Sequence, residues 1–288
     1  KYKQKGDHIM EYVTLNNGVK MPQLGYGVYQ TPTEETESCV LTAIKNGYRS
    51  IDTAQAYGNE EGVGQAIVKC GLPREELFIT TKIWISNAGY EKAKASIEES
   101  LKKLKTDYVD LLLIHQPFGD YYGTYRAMEE AYKAGKARAI GVSNFYPDRY
   151  IDIAHFAEVV PAVNQVETHV FQQQKVAREY LAKHNTQIMS WGPFAEGKND
   201  FFNTPVLKEI GAKYGKSVAQ VALRFLLQNG VVVIPKSTHE ERMQENFNVF
   251  DFVLTDEEMK QIEVLDTGKS LFFSHYSPET VEWFMSIV

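Results

Sequence analysis

Short apolar runs alternate with amphipathic stretches along almost the whole chain. Leu24–Tyr29, Tyr48–Asp52, Leu77–Lys82, Val109–Ile114, Ala137–Val142, Ala162–Val166, Gln187–Ser190 and Val231–Ile234 read as strands. Most are continuous apolar runs, as strands covered on both faces must be. Between them lie stretches with helical periodicity: Thr33–Asn46, Asn59–Val68, Tyr90–Leu104, Tyr121–Ala134, a helix opening at Pro147, Gln174–Lys183, the pair Val206–Tyr214 and Val218–Leu227, and a helix opening near Glu240. Strands alternating with helices predict a parallel sheet, and eight such units predict a closed (β/α)8 TIM barrel.

The punctuation agrees with that reading. Tyr12–Leu15 and Val19–Met21 flank Asn16-Asn17-Gly18, which predicts a hairpin with a tight primed turn. Pro32 suits the first position of a helix, and Gly47 suits a helix stop. Thr255-Asp-Glu-Glu258 is a capping box, so Thr255–Leu265 is a further helix outside the repeat. Glu98 and Glu99 with Lys102, Lys103 and Lys105 predict i,i+4 pairing on a solvated face. No Pro/Gly/Ser-rich linker interrupts the pattern, so residues 10–288 read as one domain. Lys1–Ile9 is polar and reads as an expression remnant or a disordered lead, with no signal-peptide core.

Composition narrows the function classes. The 288 residues carry a net charge of −6, with Lys and Arg scattered, which argues against nucleic acid as a partner. No apolar run reaches membrane-spanning length. Two cysteines, Cys39 and Cys70, both in helical stretches, fit packing roles in a reducing compartment, and the expected location is the cytoplasm.

The strand ends carry the chemistry. In a barrel of this kind catalytic groups collect where strands end. Asp52, Lys82 and His115 each close or directly follow a strand, and Tyr57 sits in the loop after Asp52. Taken singly, each has a structural explanation: a turn-capping Asp, a packed Tyr. Delivered from consecutive strand ends, they form a proton-transfer set. A free Tyr is a weak acid with a pKa of about 10. A neighbouring ammonium favours the phenolate, so Lys82, held charged by Asp52, is expected to lower the Tyr57 pKa. Ser143 and Asn144 after strand five, Gln165 at strand six and Trp191 at strand seven place amides and a flat ring at the same face. Lys236, Ser237, Thr238 and Arg242 near a helix start form an anion-binding cluster.

The stretch Gly47–Glu60, with Lys82, His115, Gly141-Val-Ser-Asn-Phe145 and Ile234-Pro-Lys-Ser237, resembles the aldo-keto reductases from about Tyr12 onward. The likeness is strongest to the small microbial branch named for 2,5-diketo-gluconate reductase. It implies a hairpin that closes the barrel bottom and NADPH-dependent reduction of aldehyde or ketone carbonyls. Tyr57 is then the general acid, assisted by Asp52, Lys82 and His115. It also implies cofactor contacts from Gly27, Val28, Asp52, Ser143, Asn144, Gln165, Trp191, Gly192, Pro193 and Phe194. Lys236, Ser237 and Arg242 would hold the 2′-phosphate, with Glu245 and Asn246 on the adenine and Thr238 a further cofactor contact. Tyr29, Tyr57, Trp84, His115 and Trp191, with Phe118 nearby, would line the substrate pocket. The expected partner is a small carbonyl compound, and the expected state a monomer.

Two other readings stay open at this level. The same fold serves as an NADPH-binding regulatory or sensor protein with little turnover. A metal-dependent barrel hydrolase would need several His and carboxylate groups at strand ends. His169 and His239 are too scattered for that, and no metal is expected.

Overall fold

The computed structural model describes residues 10–288, and Lys1–Ile9 lies outside them. An antiparallel hairpin comes first, β1 (Tyr12–Thr14) and β2 (Lys20–Pro22). The turn differs from the expected primed type. Only Gly18 has positive φ (+87°), Gly18 N–H donates to Leu15 O, and Leu15 N–H donates to Val19 O. This is a three-residue loop with glycine alone in the left-handed position, one residue longer than a primed turn.

Eight strands then alternate with helices. In chain order they are β3 (Tyr26–Gly27), α1 (Thr33–Lys45), β4 (Ser50–Asp52), α2 (Glu60–Lys69), β5 (Phe78–Ile83), α3 (Tyr90–Leu104), β6 (Val109–Ile114), α4 (Tyr121–Lys133) and β7 (Ala137–Ser143). There follow α5 (Pro147–Phe156), β8 (Val163–Glu167), α6 (Lys175–Ala182), β9 (Gln187–Trp191), α7 (Pro205–Tyr214), α8 (Val218–Gln228), β10 (Val232–Val233), α9 (Glu240–Phe247), α10 (Asp256–Glu263) and α11 (Pro278–Ser286). All neighbours from β3 to β10 pair in parallel. A parallel bridge between Leu24 and Val233 joins the two edges and closes the barrel.

Two apolar layers hold this shape. Inside the barrel, Phe78, Leu111, Leu113, Val163, Met189 and Val232 form one cluster. Leu15 and Met21 of the hairpin belong to that cluster, so the hairpin plugs the barrel floor. Asn16 and Asn17 donate to Pro161 O (3.1 Å) and Arg138 O (2.9 Å), tying the plug to the starts of β8 and β7. Outside, the helices pack their apolar faces on the strands. The α2–α3 contact is close enough that a Cβ on Gly64 would meet Lys103 O at 2.2 Å.

Several local expectations shift by a residue or two. Pro32 is the residue before α1, with extended ψ, and not its first helical residue. The capping box at Thr255 is present, and Ser217 with Gln220 forms a second that opens α8. Glu99 pairs with Lys103 along α3, but Glu98 pairs across to Lys136. Both cysteines are free thiols. Among the described residues no helix is long and apolar enough to cross a membrane.

Candidate active site

Parallel register sets the strand-end groups side by side. Gly27 pairs with Asp52, Asp52 with Thr80, and Lys82 with Leu113. Asp52 and Lys82 are both sealed from solvent, and Lys82 Nζ lies 2.5 Å from Asp52 Oδ1. The same ammonium donates to Thr53 O (3.0 Å) and to Tyr57 Oη (3.1 Å). All three donors of the buried cation are thereby used, which its burial requires. Burial pulls the Lys82 pKa down, but Asp52 and then Tyr57 outweigh it and the net direction is up.

Tyr57 corrects one expectation. Burial pushes its phenol up, Lys82 pulls it down, and Asp52 pushes it back; the net direction is upward, not downward. Desolvation is the largest influence on the phenol, and Asp52, which keeps Lys82 charged, also opposes the phenolate directly. The consequence is a phenol that stays fully protonated at neutral pH, beside an ammonium able to receive its anion.

His115 completes the set. Its ring meets Tyr57 edge-on at 5.6 Å and Trp84 at 5.2 Å. Burial, with the Lys82 charge adding to it, holds the imidazole well below its ordinary pKa, so it is neutral. Nδ1 is sealed with no partner. A sealed nitrogen without an acceptor is better left as a lone pair, so the proton belongs on Nε2.

A second group adjoins the first through Asp52 and His115. Gln165 Nε2 donates to Asp52 Oδ2 (2.9 Å), which the sequence did not reveal. That bond fixes the amide with Oε1 free of any hydrogen bond among the described residues. Asn144, at φ +61°, donates to His115 O (3.0 Å) and accepts from Trp191 Nε1 (2.8 Å). Ser143 Oγ donates to Gln165 O (2.8 Å) and accepts from Asn144 Nδ2 (3.3 Å). An oriented acceptor, a hydroxyl and a half-exposed indole suit a flat carboxamide-bearing ring. These residues fit a nicotinamide.

The remaining expected contacts divide. Gly27 ends β3 and Val28 follows it, with Val28 N–H donating to Asp52 O (3.1 Å). Tyr29 is exposed and packs on Tyr57 with centroids 5.1 Å apart. Trp84 is half-buried. Gly192 (φ +63°) and Pro193 open the segment after β9. The Phe194 ring turns away into Phe201 and Phe202, so any cofactor contact there is through backbone. Lys236 and Arg242 are exposed at the start of α9, with Thr238 between them. A cleft of about 620 Å³ there is lined by Thr238, His239 and Arg242, and also by Glu240 and Glu241. Ser237 is buried, its hydroxyl accepting from His239 N–H (3.0 Å). Glu245 is half-buried and Asn246 buried on the same helix.

The carboxyl-terminal segment supplies a further wall. Phe272 meets Trp191 edge-on at 5.2 Å. It is set there by Glu167, which accepts from Ser270 Oγ (2.5 Å) and Leu271 N–H (2.9 Å). Phe284 of α11 packs on both Trp84 and Phe118. His169 pairs with Glu167 (2.8 Å), inside this anchor. Among the described residues no three His, Cys, Asp or Glu side chains converge as metal ligands.

A profile of the Aldo/keto reductase family matches residues 17–267, most of the chain. The chain belongs to the aldo/keto reductase family. It is 49% identical over 261 residues to a glyoxal reductase of Bacillus subtilis, covering 90% of this chain and 94% of its relative. A solved structure of a putative 2,5-diketo-D-gluconic acid reductase B superposes with a TM-score of 0.88 at 40% identity, over 94% of this chain and 98% of that one. A mutant of Gox0644 in complex with NADPH superposes at 0.88 with 39% identity, over 92% and 97% of the two chains. The reductase is thus an NADP-dependent oxidoreductase built on the barrel described above.

Proposed function

We propose that the reductase converts aldehyde or ketone carbonyls to alcohols with NADPH, and that Tyr57 is the acid. The observation that carries this reading is the chain from buried Asp52 and Lys82 to half-buried Tyr57, with neutral His115 against the phenol.

Bound NADPH supplies the hydride, since side chains cannot. The protein supplies position and the proton. His115 Nε2–H donates to the substrate oxygen and aims it. Tyr57 Oη–H passes its proton to that oxygen as negative charge grows on it. The phenolate left behind lies beside Lys82 Nζ, and Asp52 keeps that ammonium charged and in place. Such acid catalysis contributes about 10²–10⁴-fold. Gln165 Oε1, Ser143 and Asn144 hold the carboxamide, with Trp191 against the ring. Lys236, Ser237, Thr238 and Arg242 take the 2′-phosphate, Glu245 and Asn246 the adenine, and Gly27, Val28, Gly192, Pro193 and the Phe194 backbone line the groove. The aromatic mouth of Tyr29, Trp84 and Trp191 suits small apolar carbonyls. Short dicarbonyls come first, on the strength of the glyoxal reductase relative. The protein acts as a cytoplasmic monomer.

The test is steady-state consumption of NADPH and of NADH with methylglyoxal, an aromatic aldehyde and a keto sugar acid. Turnover with NADPH preferred is the expected result. Tight NADPH binding with no turnover on any carbonyl would favour the sensor reading, which nothing in the site supports.

A further inference from the structure

Tyr57 stands on a short 3-10 turn, Gln55–Tyr57, between β4 and α2. That turn has few contacts of its own: Tyr57 N–H returns to Ala54 O, and Gly58 follows in the left-handed region. Apart from Tyr57 itself, held by Lys82, Tyr29 and His115, one side chain fastens it to the rest of the barrel. Gln55 Oε1 accepts from Trp84 N–H (2.9 Å) and from Asn87 Nδ2 (2.9 Å). Gln55 Nε2 donates to Ser100 Oγ (3.1 Å) and Ser96 O (3.3 Å) on α3. All four bonds of the amide are used, and none is to the turn itself.

We infer that Gln55 is a positioning residue that registers the acid Tyr57 against the end of β5. The inference rests on the reading of Tyr57 above. Lys82 and Trp84 belong to that strand end, and the Trp84 ring borders His115. By gripping Trp84 N–H, Gln55 fixes the distance between the turn that holds the proton and the strand that holds the cation. Both polarities of the amide are needed. The oxygen meets two donors and the nitrogen meets a carbonyl and a hydroxyl, so no acid or hydrocarbon can replace it. The cofactor groups Ser143, Asn144, Gln165 and Trp191 lie on other strands, and none of them contacts Gln55. The outer side of Gln55 lines a cleft of about 520 Å³ with Glu60, Asn87, Ser96 and Ser100. Water from that cleft can reach the partners that a truncation would strand, so the fold tolerates the loss.

A displacement of about 1 Å at a reacting group can cost about 10²-fold in rate. Gln55→Ala should lower kcat by about 10–10²-fold while the Kd for NADPH, read by protein fluorescence quenching, stays unchanged. Gln55→Glu has the same shape but sets a carboxylate against Ser96 O. Its kcat relative to the unaltered protein should be low at neutral pH. It should recover as pH falls towards the carboxylic acid range, about 4–5, where the side chain regains a donor. Should Gln55→Ala fail to fold, the pH course of Gln55→Glu alone decides. A kcat unchanged in both variants would overturn the inference. So would a kcat loss matched by weaker NADPH binding, or a Gln55→Glu ratio flat with pH. Tyr57→Phe runs in parallel: if it retained full activity, the reading of Tyr57 itself would have failed, and Gln55 would have no acid to position.

Discussion

Replacing Asp52 by Asn tests the electrostatic core of the site. The pair Lys82–Asp52 is fully buried, with a separation of 2.5 Å. Asp52 uses both oxygens, one towards Lys82 and one towards Gln165 Nε2. An amide offers one oxygen only, so its nitrogen must face either the ammonium or the Gln165 amide, both donors. Removing one partner of a buried pair costs about 3–5 kcal/mol, a large share of a domain's usual 5–15 kcal/mol or so. The pH dependence gives the sharper test. In the unaltered protein Asp52 and Tyr57 hold the folded Lys82 pKa above its ordinary value. That stabilisation is fully present below about pH 10.4 and is lost only as pH rises through the raised value. Without Asp52, burial dominates and the folded pKa drops below the unfolded one. The variant then loses stability as pH falls below about 10.4, by up to about 1.4 kcal/mol per pH unit. The stability gap between the two proteins, from urea denaturation across neutral to alkaline pH, should therefore narrow as pH rises. The double variant Asp52→Asn/Lys82→Met should be more stable than Asp52→Asn alone. A gap under about 1 kcal/mol, well below the usual cost of stranding a buried charge, or one constant with pH, would refute the reasoning.

Other expectations are read in simpler assays. Arg242→Ala should raise the KM for NADPH and leave that for NADH nearly unchanged, because only the former carries the 2′-phosphate; equal effects on both would remove Arg242 from that role. Burial, with Arg149 adding to it, holds the His275 pKa down at about 4. Its neutral form is therefore bound in the fold, and stability should be lost as pH falls from about 6.5 towards 4. A His275→Phe variant should show a flatter acid limb in urea denaturation over that range. Phe272→Ala should speed NADPH release in stopped-flow fluorescence, because Trp191 loses the ring that braces it. Gly64→Ala should destabilise the fold by about 1–3 kcal/mol through overpacking, since its methyl would strike Lys103 O, and a lowered thermal midpoint reads that loss.

Much of this site was legible because the barrel makes it local. A continuous apolar run that stops at a charged residue marks a strand end, and Asp52, Lys82 and His115 each stand at or just after one. The parallel register then does the assembly, and no long-range information is needed to predict their convergence. What stayed hidden depends on contacts between distant segments. The Gln165–Asp52 bond joins strands that are far apart in the chain. The wall formed by Phe272 depends on a bond from Glu167 to a segment 104 residues later. Neither leaves a periodic trace. The direction of the Tyr57 shift was missed for a related reason: proximity to Lys82 is readable from strand order, while the depth of burial is a property of the closed barrel. The hairpin turn shows the limit of dipeptide signals, since an Asn-Gly pair predicts two left-handed residues and only Gly18 takes that position.

The most direct test of the acid assignment is a single-turnover measurement of Tyr57→Phe. Enzyme with NADPH already bound is mixed with methylglyoxal, and loss of reduced nicotinamide absorbance is followed against the unaltered protein. The variant should bind NADPH with the same Kd and consume it at least about 10²-fold more slowly. A rate within a few-fold of the unaltered protein, at equal NADPH occupancy, would contradict the account, because the proton would then come from another group.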